Sequence, residues 1–225
     1  MLLGIISDIH ANLPALEAVI RELRKHRPSE ILHAGDIVGY NPFPNECIEL
    51  IRKEGIRSIG GNHDRAALTG DVSWFNDNAA EAALWTKKTL RDESVGYLQT
   101  LKPREELRLG QRKFLMVHGS PTDDNEYVMP MEEKYWPYKD LDVDVLIMGH
   151  THVQWSDRFG KLRVLNPGGL GQPRDGSPKA AFAILDTDTL DIKLHRIEYD
   201  INRTAKAIRI AHLPAHLADR LYDGI

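Results

Sequence analysis

Aspartate, histidine and asparagine recur in five short stretches of this 225-residue chain. They are Ser7-Asp8-Ile9-His10, Gly35-Asp36, Gly60-Gly61-Asn62-His63-Asp64, Val117-His118-Gly119 and Gly149-His150-Thr151-His152. Carboxylate, imidazole and amide are the ligand types that hold hard-to-borderline divalent cations. Taken one at a time, each has an ordinary structural reading: Asp36 as a turn former, His118 as a hydrogen-bonded strand end, Asn62-His63-Asp64 as a turn. The Gly-His-Thr-His run is harder to explain that way, because few structural roles want two imidazoles on one face. Five of the ten histidines fall in these stretches, so the set is read as one site.

Each stretch follows an apolar run. Leu2 to Ile6 predicts a strand buried on both faces, Glu30 to Ala34 a second and Arg57 to Ile59 a third. Helices are expected between them, over Leu13 to Leu23 behind an Asn12 cap and over Asn45 to Lys53. Strands joined by helices imply right-handed crossovers and a largely parallel sheet, whose carboxyl-end rim gathers ligand-binding loops. At a regular strand end, residues two apart share a face, which would aim Asp8 with His10 and His150 with His152 at common points.

Further along, helices are predicted over 76–90 and 93–101, and hairpins over 105–117, 153–166 and 180–196. Val143 to Met148 is another apolar strand, 131–139 a short irregular helix around Pro137, and 202–211 with 214–222 two terminal helices. The fold class expected is α/β, a four-layer α-β-β-α sandwich of two mixed sheets flanked by helices, in a single domain over 1–225.

The formal charge of -4 argues against a nucleic-acid-binding surface. It leaves room for an acidic substrate, since bound cations would invert the local charge. Cys47 is the single cysteine, so no intrachain disulfide forms, and it reads as a small buried hydrophobe in a reducing compartment. The apolar start meets Asp8 at once, unlike a signal peptide, and no apolar run is long enough to span a bilayer. A cytoplasmic location is the expectation. There is no Gly-x-Ser-x-Gly elbow and no P-loop, so no protein nucleophile of those types is on offer.

The order Asp-x-His, Gly-Asp, Gly-Asn-His-Asp, His, Gly-His-x-His resembles that of the calcineurin-like metallophosphoesterases, and the Val117 to Pro121 and Asn166-Pro167-Gly168 stretches resemble their small bacterial and archaeal members. The resemblance implies a phosphodiesterase or phosphatase that hydrolyses small phosphate esters, nucleotides among the candidates, through a hydroxide bridging two divalent ions. It implies one ion on Asp8, His10, Asp36 and His152, a second on Asp36, Asn62, His118 and His150, and Asp36 as the bridge. Manganese, iron, zinc, cobalt and nickel all suit such ligands. It also implies that His63 acts on the leaving oxygen and that Asp64 orients His63 through its other ring nitrogen.

Arg65 and Arg174 are the candidate phosphate contacts, each with a solvated-surface reading of equal weight. Tyr40, Asn41 and Phe43 are candidates to line the cleft. Two rivals stand beside the hydrolase reading: a non-enzymatic interaction scaffold on the same fold, which should have lost ligands, and a protein phosphatase, which usually needs longer insertions. Whether the chain self-associates is left open.

Overall fold

The run Leu2–Ile6 (β1) is the middle strand of the first sheet, and Leu3 to Ile6 are all buried. Two neighbours explain why it is apolar on both faces. Leu3 and Ile5 look toward the second sheet, while Ile6 joins the cluster under helix α1 (Leu13–His26). That helix is capped by the Asn12 side chain, which accepts from the Ala15 amide at 3.3 Å, and it buries Leu16, Val19, Ile20 and Leu23. The computed structural model describes residues 1–131 and 136–225.

Sheet one has the order β10-β9-β1-β2-β3, where β2 is Glu30–His33, β3 is Arg57–Ser58, β9 is Ala180–Asp186 and β10 is Ile192–Ile197. β1, β2 and β3 run parallel, and β9 and β10 are antiparallel additions. Sheet two has the order β4-β5-β6-β8-β7, with β4 Arg104–Leu109, β5 Arg112–Val117, β6 Val145–Ile147, β7 Trp155–Phe159 and β8 Leu162–Asn166. β5, β6 and β8 are parallel, and the edges β4 and β7 are antiparallel.

The sheets face one another through Leu3, Ile5, Leu32, Phe114, Met116, Val145, Ile147 and Leu165. Helices α1, α2 (Pro44–Lys53) and α5 (Asp92–Thr100) cover sheet one. The outer face of sheet two packs on Val128, Trp136, Tyr138 and Leu141, with Trp136 stacked on Phe159 at 4.4 Å. A further cluster joins Tyr40, α4 (Asp77–Thr89), α6 (Ile201–Ile210) and α7 (Ala215–Asp223). Two mixed five-stranded sheets flanked by helices are what the sequence predicts. No helix among the described residues is long and apolar enough to cross a membrane.

Two local expectations change. Residues 132–135 of the helix expected over 131–139 lie outside the described residues, and 137–140 form a turn. The Asn62-His63-Asp64 stretch is not a free turn but the start of a helix, α3 (Asn62–Thr69).

His33, on β2, is fully buried, and neither ring nitrogen has a partner among the described residues. Burial pushes its pKa down from 6.5 to about 4. The unfolded chain therefore binds more protons across that interval, so His33 costs stability as the pH falls from 6.5 toward 4. The integrated loss is at most about 3 kcal/mol. Urea unfolding of His33→Leu beside the parent at pH 7 and pH 5 should show a flatter pH slope in the variant, and equal slopes would refute the assignment.

Candidate metal centre

The five stretches meet where the parallel strands of both sheets end, and backbone hydrogen bonds tie them together. Asp8 N–H donates to Gly35 O at 3.0 Å, His10 N–H to Asp36 O at 3.0 Å, and Gly149 N–H to His118 O at 2.8 Å. Convergence does not come from strand alternation, as the sequence suggests. β1 ends at Ile6, and Asp8 and His10 have φ values of 54° and 46°. Asp36, His150 and His152 are also left-handed, at 62°, 67° and 59°. Such backbone costs of order 1 kcal/mol per non-glycine residue and gathers at functional sites. It turns each side chain inward just past the strand, where a regular extended chain would alternate faces.

The side chains pack at ligand-sharing distances. His152 Nε2 lies 3.3 Å from Asp8 Oδ1, and His10 Nε2 lies 3.8 Å from the same oxygen. Asp36 Oδ2 is 3.7 Å from His10 Nε2 and 3.1 Å from His118 Nε2. Asn62 Oδ1 is 2.9 Å from His118 Nε2 and 3.1 Å from His150 Nδ1. Asp8, Asp36 and His118 form one compact group, Asp8, His10 and His152 another, and His10, Asp36 and His63 a third.

Tautomers decide what this geometry can hold. His10 Nδ1 faces Val38 O at 3.1 Å, and His152 Nδ1 faces Gln172 O. A carbonyl only accepts, so both Nδ1 atoms carry the hydrogen and both Nε2 atoms carry a lone pair. Those two lone pairs face each other at 3.0 Å. Burial lowers both imidazoles, with His152 also lowering His10 and Arg174 lowering His152, so a proton between them is disfavoured. A shared cation resolves the conflict.

His118 repeats the logic. Its Nδ1 donates to Ala34 O at 2.9 Å, leaving Nε2 against two oxygens. Burial opposes a charge there, yet Asp36 raises this imidazole to about 9, so the carboxylates demand a positive charge at that point. Against the cost of burial, His152 holds Asp8 below the usual carboxylate range and His118 does the same for Asp36. His150 donates through Nε2 to Asn125 O at 3.1 Å, turning the Nδ1 lone pair toward Asn62. Asn125 has no residue-type signal that would single it out in the sequence. The donor set therefore fits divalent cations.

The remaining candidates separate. His63 is buried against Tyr40 and Phe75, with ring centroids 4.4 Å away in each case, and burial lowers its pKa to about 3. Asp64 does not orient that ring. Its carboxylate accepts the backbone amides of Asp36 at 3.0 Å, Val38 at 3.1 Å and Gly61 at 2.9 Å, and His63 Nδ1 is buried with no partner among the described residues. The reason is position: Asp64 is the third residue of α3, where a carboxylate folds back onto orphan amides. It fixes the Asp36 loop instead. Arg65 is exposed and paired with Asp124 at 3.1 Å, whereas Arg174 is half-buried and bonded to Tyr40 Oη at 3.0 Å.

Gly61 is where α3 meets the Asp36 loop. A Cβ there would lie 2.1 Å from Asp36 Oδ1 and 2.6 Å from Asp36 N. Gly61→Ala is expected to cost about 2 kcal/mol of stability through forced backbone movement. A lowered urea midpoint with unchanged slope is the readout, and an unchanged midpoint would contradict it.

A family model described as a calcineurin-like phosphoesterase superfamily domain matches residues 1–190. The chain belongs to this family. An uncharacterized protein of Methanocaldococcus jannaschii is 35% identical, covering 99% of this chain and 98% of its own length. A phosphodiesterase of Escherichia coli strain K12 is 23% identical, covering 85% of this chain and 91% of its own. The crystal structure of a metallophosphoesterase from Sphaerobacter thermophilus superposes with a TM-score of 0.84 at 36% identity, over 100% of this chain and 99% of the other. A hypothetical protein of Pyrococcus horikoshii OT3 shares the fold with a TM-score of 0.91 at 24% identity, over 100% of this chain and 98% of the other.

Proposed function

We propose that this calcineurin-like phosphoesterase hydrolyses small phosphate esters with two divalent cations. Asp8, His10, Asp36 and His152 would hold one, Asp36, Asn62, His118 and His150 the other, and Asp36 would serve both. The observation that carries the reading is the pair of imidazole lone pairs, His10 and His152, facing each other at 3.0 Å in a buried cluster with two carboxylates. Bound there, the cations would supply Lewis acidity that activates water and neutralises phosphoryl charge.

The chain's own residues do the rest. His63, neutral at ordinary pH, offers its one ring N–H as a hydrogen-bond donor to the departing oxygen. Asp64 keeps Asp36 in place through its three amide contacts. A cleft of about 360 Å³ lies beside Asn62, His63 and His150, walled by Tyr40, Phe75, Trp74 and Tyr127. That volume suits a small ester, and its aromatic walls favour an aryl or nucleoside group on the phosphate. A metal-by-substrate screen on metal-free protein tests this, using bis(p-nitrophenyl) phosphate, p-nitrophenyl phosphate and a nucleotide panel. Turnover restored by one of manganese, iron, zinc, cobalt or nickel supports it, and inert protein under every metal refutes it.

A further inference from the structure

Arg174 carries a charge that the fold does not neutralise. Its side chain is half-buried, and among the described residues no carboxylate pairs with it. The adjacent Asp175 is spent elsewhere, on the guanidinium of Arg196 and the Gln154 amide at 3.2 Å. Neutral oxygens surround Arg174 instead. Gln172 Oε1 takes Nε at 3.3 Å and Nη2 at 3.0 Å, and Tyr40 Oη takes Nη2 at 3.0 Å. Nη1 meets Tyr127 Oη at 3.4 Å, a long contact from an exposed ring at the cleft mouth. Of the five guanidinium hydrogens, those on Nε and Nη2 are therefore committed, and the Nη1 pair is free or weakly held.

Tyr40 adds a second donor. Its phenol oxygen accepts from Arg174, so the phenol hydrogen is left to give, and Tyr40 lines the cleft beside His63. Its ring stands 4.7 Å from His10 and 4.4 Å from His63. The Tyr40 ring thus borders the candidate metal centre at His10 and His63, and Arg174 reaches that border through the Tyr40 hydroxyl.

We propose that Arg174 Nη1 and the Tyr40 hydroxyl form a clamp for one phosphoryl oxygen of the substrate, with Gln172 as the positioning residue that fixes the guanidinium. The reading rests on the function proposed above and names two groups that would hold the ester once it is seated. An incoming anionic oxygen replaces the long Tyr127 contact and supplies the negative charge that Arg174 lacks.

The support of this clamp comes from beyond the family match, which stops at residue 190. Tyr40 packs with Ala205 and Ile208 of α6 and with Leu217, Ala218 and Leu221 of α7. The end of α7 touches the Arg174 loop, where Gly176 N–H donates to Gly224 O at 2.9 Å. So close is this approach that a Cβ on Gly224 would lie 2.4 Å from the Ser177 backbone. The terminal helix pair is, in this account, the back wall of a substrate subsite.

The test uses full-length, metal-loaded protein with two readouts: KM and kcat on bis(p-nitrophenyl) phosphate, and the calorimetric Kd for inorganic phosphate. Arg174→Ala should raise both KM and Kd about 30-fold, the worth of a charge-assisted hydrogen bond. Tyr40→Phe keeps the ring contacts and should raise both about fivefold. In the Arg174→Ala background, Tyr40→Phe should add less than about twofold, because the groups act as a unit. Arg174→Lys should recover part of the phosphate affinity. Full additivity of the two changes would overturn the clamp, as would an active Arg174→Ala protein with the parent's KM and Kd. If the parent turns over no ester yet binds phosphate through Arg174, the hydrolase reading falls and the clamp stands.

Discussion

Asp36→Asn is expected to lower metal-dependent turnover at least about 10³-fold while leaving the fold intact. Asp36 is the carboxylate whose Oδ2 reaches both His118, at 3.1 Å, and His10, at 3.7 Å, so it stands between the two proposed cation positions. Its other oxygen accepts the His63 amide at 2.8 Å, a bond the asparagine carbonyl can keep. The substitution preserves shape and removes one negative charge from the point where His118 is raised to about 9. In the metal-free parent that imidazole is protonated and pairs with Asp36 at 3.1 Å, so the substitution gives up one ion pair. The metal-free variant should therefore melt somewhat below the metal-free parent at pH 7, yet still unfold in one cooperative transition. Lost turnover in a protein that still unfolds cooperatively separates a role in cation binding from a folding defect. A variant within tenfold of parental kcat/KM would count against the assignment.

His63→Ala should lower kcat about 10²-fold with metal content unchanged. The neutral state of His63 follows from burial, which outweighs the opposing field of Asp36 and leaves the imidazole titrating near 3. Its loss should thus remove a hydrogen-bond donor to the leaving oxygen and not a resident cation. Three aromatic rings hold it, Tyr40, Phe75 and His10, with centroids 4.4, 4.4 and 4.7 Å away. Since the Asp64 carboxylate is taken up by backbone amides, Asp64→Asn should act through the Asp36 loop and weaken cation binding. The competing outcome for His63 is specific. His63 shares a compact group with His10 and Asp36, so loss of metal in His63→Ala would make it a ligand.

Ligand chemistry tolerates few residue types, and this is why the candidate site could be read from sequence. Asp8, His10, Asp36, Asn62, His118, His150 and His152 all lie in the motifs, and the structure brings them together. The apolar runs located the strands for a similar reason, since β1, β6 and β9 are buried on both faces and have no polar option. Backbone sign was not readable. Five of the proposed ligands adopt left-handed φ without being glycine, a conformation that tertiary contacts impose and residue type does not signal.

Helix α3 was hidden because Asn-His-Asp reads equally as a turn. Its start shows only as Gly61 followed three residues later by Asp64, which is the capping pattern that gives Asp64 its contacts. Gln172 and Asn125 reach the site through long-range loop packing, and nothing local marks them.

The most direct test of the central claim is the rate of ester hydrolysis followed while metal-free protein is titrated with a single divalent cation. Cation occupancy is measured on the same samples by elemental analysis. Two cations serving one centre predict turnover that rises with filling to two per chain and reaches its plateau there, with Asp36→Asn never reaching that stoichiometry. Full turnover at one cation per chain, or without any, would contradict the account.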